Sequence, residues 1–143
     1  MESRQRSVTS RGNRGLRVIV FGCILGAGIM LIFDRLLSVL LVLGAIGHTL
    51  GVLKFYRGQP HPLFWALCAT LLILLLAAVN LLRADRPGDH GLAWVAAGAS
   101  AAYVGVSIAF GVLVGNPWDV RALSFAAVAL CLTALSVRGA LLG

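Results

Sequence analysis

The chain has 143 residues, of which 59% are hydrophobic and 12% charged, and its formal net charge is +7. A soluble domain carries about 25% charged residues. One of this size could not hide so much apolar surface, so the surplus must face a lipid bilayer. The positive charge does not point to nucleic acid. Arg4, Arg6, Arg11, Arg14 and Arg17 cluster at the start, and most other basic residues flank apolar runs, the pattern of membrane topology signals.

Residues 1–15 are rich in Arg, Ser and Gly without apolar periodicity, which predicts a disordered basic cytoplasmic tail and leaves 16–143 as a single transmembrane helical domain. The apolar stretch "LRVIVFGCILGAGIMLIF" (16–33) fits several roles: a fifth span, a signal-peptide core with Ala27 near its cleavage site, a segment upstream of a true start at Met30, or an extension of the first span over 18–33. The extension is favoured. Only Asp34 and Arg35 separate this stretch from the next apolar run, too few for a turn between antiparallel helices.

Four runs of membrane length follow, at about 36–56, 62–82, 91–115 and 117–137. Pro62 and Pro117 suit first helical turns, while "RGQPHP", "RADRPGDH" and "GNPWD" break the runs. Connections this short force antiparallel neighbours, so the expected fold is an all-α, up-down four-helix bundle in the membrane. Counting basic residues orients it. With both termini inside, the tail arginines, Arg35, Arg83, Arg86 and Arg138 are cytoplasmic, against Lys54, Arg57 and Arg121 outside. Tyr56, Trp65 and Trp118 then mark the outer interface and Trp94 the inner one. Cys23, Cys68 and Cys131 stand alone in apolar runs, so neither a disulfide nor a zinc site is expected.

The first run contains an ionisable residue, His48, in "LGAIGHTLGVLKFY" (43–56). It lies about 18 Å from Leu36 along a helix. Gly44 and Gly51 flank it on the same face, and Gly47 and Gly51 form a GxxxG, so the histidine is expected in a notch facing protein. Tyr103 and Thr70 fall at similar depth, and Ser100, Tyr103 and Ser107 share one face of their helix. These spacings predict an intramembrane polar layer of His48, Thr70, Ser100, Tyr103 and Ser107, with Thr49 and Ser124 near it. Such a layer serves either as a proton relay or ligand site, or as a hydrogen bond from His48 to Tyr103 or a serine that holds helices in register. The structural role is the stronger expectation. A ladder of Ala93, Ala97, Ala101, Gly105 and Ala109 predicts close packing within the bundle, or alternatively a dimer seam. Asp34, Arg35 and Asn80 are expected to form a polar cluster at the cytoplasmic boundary. No catalytic set or metal-ligand spacing is present, and no carboxylate lies mid-span, which weakens a proton-coupled transporter.

The order of Arg35, an apolar run, Gly47-His48, and Lys54 followed by an aromatic resembles the first helix of the DoxX-like superfamily of small bacterial four-helix membrane proteins. Thr49 departs from that pattern, which usually has Gly after the histidine. The resemblance implies a bacterial inner-membrane location, and the family's links to membrane redox complexes imply a quinone as a conceivable cofactor. The residues themselves call for no cofactor. They favour a non-catalytic subunit or helper of a membrane complex, with the lipid bilayer and a membrane-protein partner or second copy as its contacts. A redox or quinone-linked subunit using His48 is the alternative, and a small dimeric transporter comes third.

Overall fold

A computed structural model describes the backbone of residues 3–142, with side-chain placement for residue 26 and residues 28–142. It contains four helices: α1 (Ser3–Phe55), α2 (Pro60–Asp85), α3 (His90–Leu113) and α4 (Val120–Leu142). The chain divides into two units, Met1–Phe33 and Asp34–Gly143. The second unit is an all-α four-helix bundle in up-down order, as the short connections dictate. In the first unit the backbone is helical from Ser3, where the sequence predicts a disordered tail over 1–15. No proline precedes Pro60 to interrupt the helix. The same helix carries 18–33 directly into the first span. The tail arginines, Cys23 and Ala27 lie outside the residues whose side chains are described.

All four helices contain stretches long and apolar enough to cross a membrane: Gly28–Phe55, Pro60–Asp85, His90–Leu113 and Val120–Leu142. The shortest, of 23 residues, is about 34 Å long, beyond the roughly 30 Å of a hydrocarbon core. The side chains are sorted as a bilayer requires. Buried positions are mostly Ala, Ser and a few larger residues, while Leu, Ile, Val, Phe and Trp cover the outside. On α1, Asp34, Ser38, Leu41, Ala45 and Val52 form the inward stripe, with His48 half-buried at the same spacing. Small inward residues let α3 and α4 pack along much of their length. The core is Leu41, Ala45, Ile73, Leu76, Ala77, Tyr103, Ala129 and Leu132, with Phe125 and Val128 packed against it.

The helix ends differ from the sequence expectation for local reasons. α2 takes Pro60 into its first turn and runs to Asp85, past the expected end at Leu82, because a helix stops at its cap rather than where hydropathy falls. Its stop is the turn before Asp89, with Gly88 at φ +93°, a conformation open to glycine. Asp89 then caps α3 by accepting a hydrogen bond from the Leu92 N–H at 2.9 Å. α4 begins at Val120, not at Pro117. Asp119 accepts from the N–H groups of Arg121 and Ala122 and so sets the start, while Pro117 lies in the preceding turn. α4 also continues beyond Arg138 to Leu142.

The two ends of the bundle are chemically distinct. Tyr56, Trp65 and Trp118 are exposed at the end carrying the first and third connections, and Trp94 is exposed toward the other. Cys68 and Cys131 are free thiols on outward faces rather than in the core.

Candidate functional site

Charged and amide groups concentrate inside the bundle near the α2–α3 connection. Arg83 is the third-last residue of α2, about 3 Å from the helix end. Its Nη2 donates to Asp34 Oδ1 of α1 at 2.5 Å, and both side chains are only 8% exposed. Two charges withdrawn from water need each other. Removing either one leaves an uncompensated charge in low dielectric. The neighbouring pair, Arg35 to Asp85 at 2.6 Å, joins the same two helices but is more than half exposed. Solvent screens it, and it contributes at most about 1 kcal/mol.

One turn deeper, Asn80 joins three helices. Its Nδ2 donates to the Leu76 carbonyl at 3.0 Å and to Ser100 Oγ of α3 at 3.1 Å. Its Oδ1 accepts from Ser136 Oγ of α4 at 3.3 Å. Asn80, Ser100 and Ser136 are all 0% exposed. The amide thus uses both donor hydrogens and its acceptor, and a buried amide satisfied in this way fixes the rotation of the helices that satisfy it. The expected boundary cluster of Asp34, Arg35 and Asn80 is therefore three separate linkages, each with a partner on another helix.

Toward the other end lie the remaining polar residues. The hydroxyls of Thr49 and Thr70 are hydrogen-bonded at 3.3 Å, linking α1 to α2. Tyr103 and Ser107 are buried on the inward face of α3. The Tyr103 ring meets Phe125 edge-on, with centroids 6.4 Å apart at 85°. Phe125 in turn lies over Gly44, where an added Cβ would come within 2.7 Å of its ring. Gly44 is thus a seat for an aromatic ring of α4.

The single polar layer expected from depth counting is not what forms. Ser100 belongs with Asn80 and Ser136, while Thr70 pairs with Thr49. Ser124 is exposed and turns back to its own helix, donating to the Arg121 carbonyl. His48 has its Nε2 buried with no hydrogen-bond partner among the described residues, so the expected bond from this atom to Tyr103 or a serine is not made. The notch is also half of what the glycines suggest. Gly47 and Gly51 have nothing within 4 Å of a built Cβ. The alanine ladder divides as well: Ala93 and Ala97 are buried, whereas Ala101, Gly105 and Ala109 face outward, because a strict four-residue repeat drifts around a helix of 3.6 residues per turn.

Arg83, Asp85, Ser136 and Phe125 are participants that the sequence reading misses. Arg83 falls in the polar run "RADRPGDH" and reads as loop, although the i, i+3 spacing from Asn80 places both on one helix face. Among the described residues, no group of three His, Cys, Asp or Glu side chains is placed to hold a metal ion.

The inside-out sorting of side chains and four membrane-length helices define a small multi-pass membrane protein. Comparison with known proteins adds no family: no family profile matches the chain, and no curated protein or solved structure matches it.

Proposed function

We propose that the protein is a non-catalytic subunit or helper of a larger membrane complex. The observation that carries this reading is the division between interior and exterior. The interior polar groups Asp34, Arg83, Asn80, Ser100 and Ser136 are bonded to one another across helices, a use that holds the bundle together. Outside, small residues form open edges at Gly47 and Gly51 on α1 and at Ala101 and Gly105 on α3. Such edges let another membrane helix approach closely. A photo-crosslinking residue placed beside them, at Leu50 or Val106, should give a discrete protein adduct in native membranes. The same residue at Leu71 or Leu130 should give lipid adducts. Lipid adducts at all four positions would refute the proposal.

The proposed location is a bacterial inner membrane with both termini cytoplasmic. It is supported by the arginines of the tail and of the Asp34–Arg83 end, and by the resemblance of residues 34–56 to the DoxX-like superfamily. A cysteine replacing Pro87 should then react with a membrane-impermeant thiol reagent only after cells are opened. Labelling in intact cells would reverse the orientation.

One observation favours a second reading, a redox or quinone-linked subunit: the buried Nε2 of His48 has no partner among the described residues, and a buried polar atom left without one calls for an acceptor or donor from elsewhere. His48→Gln separates the two readings. A variant that folds and keeps its cellular phenotype supports the subunit role, whereas one that folds and loses it favours chemistry at His48.

A further inference from the structure

Arg83 and His90 meet the last two turns of α4, which carry Arg138. Arg83 Nη1 lies 3.7 Å from where a Cβ of Gly139 would stand. His90 Nδ1 lies 2.9 Å from the Ala140 carbonyl oxygen, to which it donates. Arg138 adjoins Gly139 and is exposed. A Cβ at 139 would stand in ordinary van der Waals contact with this guanidinium, so Gly139 lets Arg83 lie directly against α4.

Among the described residues the charge here is not balanced. This end of the bundle carries Arg35, Arg83, Arg86 and Arg138 against Asp34, Asp85 and Asp89. Asp34 and Asp85 are engaged by Arg83 and Arg35, and Asp89 caps α3. Arg86 and Arg138 have no carboxylate within salt-bridge distance among the described residues. Both are exposed and offset the negative carbonyl ends of α2 and α4. Arg83 itself is nine-tenths buried and its Nε has no partner among the described residues. A guanidinium offers five donors, and Asp34 is the acceptor found for it.

Depth selects the ligand. Arg83 is about 3 Å from the end of α2 and Gly139 about 4.5 Å from the end of α4, so the group lies at the level of lipid headgroups. Basic pockets between helices at this level recognise anionic headgroups, and guanidinium matches the geometry of phosphate.

We propose that the basic site formed by the end of α2, the start of α3 and the last turns of α4 binds the phosphate of an anionic phospholipid headgroup. Arg138 and Arg83 supply the donors, and Gly139 lets Arg83 lie against α4 beside Arg138. A bound headgroup ties α2 to α4 at the end where the Asp34–Arg83 pair ties α1 to α2.

The test is the purified full chain in neutral detergent, titrated with phosphatidylglycerol, phosphatidylcholine or inorganic phosphate while lipid binding is read by native mass spectrometry and stability by thermal melting. Phosphatidylglycerol should bind and raise the melting temperature, and phosphatidylcholine should do neither. Arg138→Gln should weaken phosphatidylglycerol about five-fold, the scale of one arginine at a membrane surface. Gly139→Leu, which displaces the Arg83 guanidinium from α4 without removing charge, should also weaken it. Lipid-free melting of both variants serves as the folding control. Equal binding of the two lipids, or unchanged binding in two well-folded variants, would overturn the proposal. Full competition by millimolar inorganic phosphate would overturn the lipid assignment.

Discussion

Arg83→Met should be the most damaging single substitution in the bundle, costing about 3–5 kcal/mol, the range for breaking a buried ion pair by removing one partner. The loss comes from Asp34, whose short side chain cannot reach the interface from its buried position. Asp34→Leu should cost less. The freed Arg83 is two residues from the end of α2 and can swing its head toward the headgroups while its methylenes remain among apolar neighbours. The double variant, Asp34→Leu with Arg83→Met, should recover most of the loss, since a charge pair replaced by packed apolar groups is often neutral or stabilising. Reversible unfolding in detergent or bicelles measures all three. Additive losses in the double variant would show that the pair does not act as a unit.

That pair also marks what the sequence could and could not reveal. The number of helices, their order and their apolar character are legible because spans of about 20 apolar residues have few other uses. The inward face of α3 is legible too: Ser100, Tyr103 and Ser107 follow helical periodicity, and all three are buried. Partners across helices are not legible in the same way. Depth counted from the edge of an apolar run places Thr70 and Tyr103 level with His48, and the shared face of α3 draws Ser100 into the same layer, but helices begin and end at caps that hydropathy does not see. Asp119 starts α4 three residues after Pro117, and α2 carries Arg83 inside rather than into a loop. A shift of three residues is about 4.5 Å along a helix, enough to exchange one hydrogen-bond partner for another. Rotation adds a second ambiguity. Gly44 and Gly51 flank His48 with near-equal claim in sequence, yet only Gly44 has a ring from another helix against it.

The exposed clamp and the buried one also differ in what they can specify. Arg35–Asp85 lies where water competes for both groups, so its loss should pass nearly unnoticed. Asp34–Arg83 has little such competition, since both side chains are 8% exposed, and any arrangement of α1 against α2 that separates the pair leaves the buried Asp34 carboxylate unpaired. The buried pair therefore selects one register of these helices even if its net contribution to stability is small.

The same reasoning gives Asn80 the second large effect, on specificity as much as on stability. Asn80→Leu removes an amide that bonds α3 and α4 at once and leaves Ser100 and Ser136 without it. Side-chain hydrogen bonds between membrane helices average about 0.6 kcal/mol and reach about 1.7, so losing two should cost about 1–3 kcal/mol. Both serines can turn to carbonyls of their own helices, which holds the cost toward the lower end. Leucine is also bulkier at its branch point than asparagine, in a position with no exposed surface, so α3 and α4 must separate slightly to admit it. Asn80→Ala makes no such demand, and neither does the triple variant with alanine at 80, 100 and 136. If the amide acts by fixing helix rotation, Asn80→Ala should lower stability by about 1 kcal/mol and broaden the distance between spin labels on the outward faces of α2 and α4. The triple variant should be no less stable than Asn80→Ala alone but equally broad. Label distances as sharp in Asn80→Ala as in the parent would show that packing alone sets the rotation.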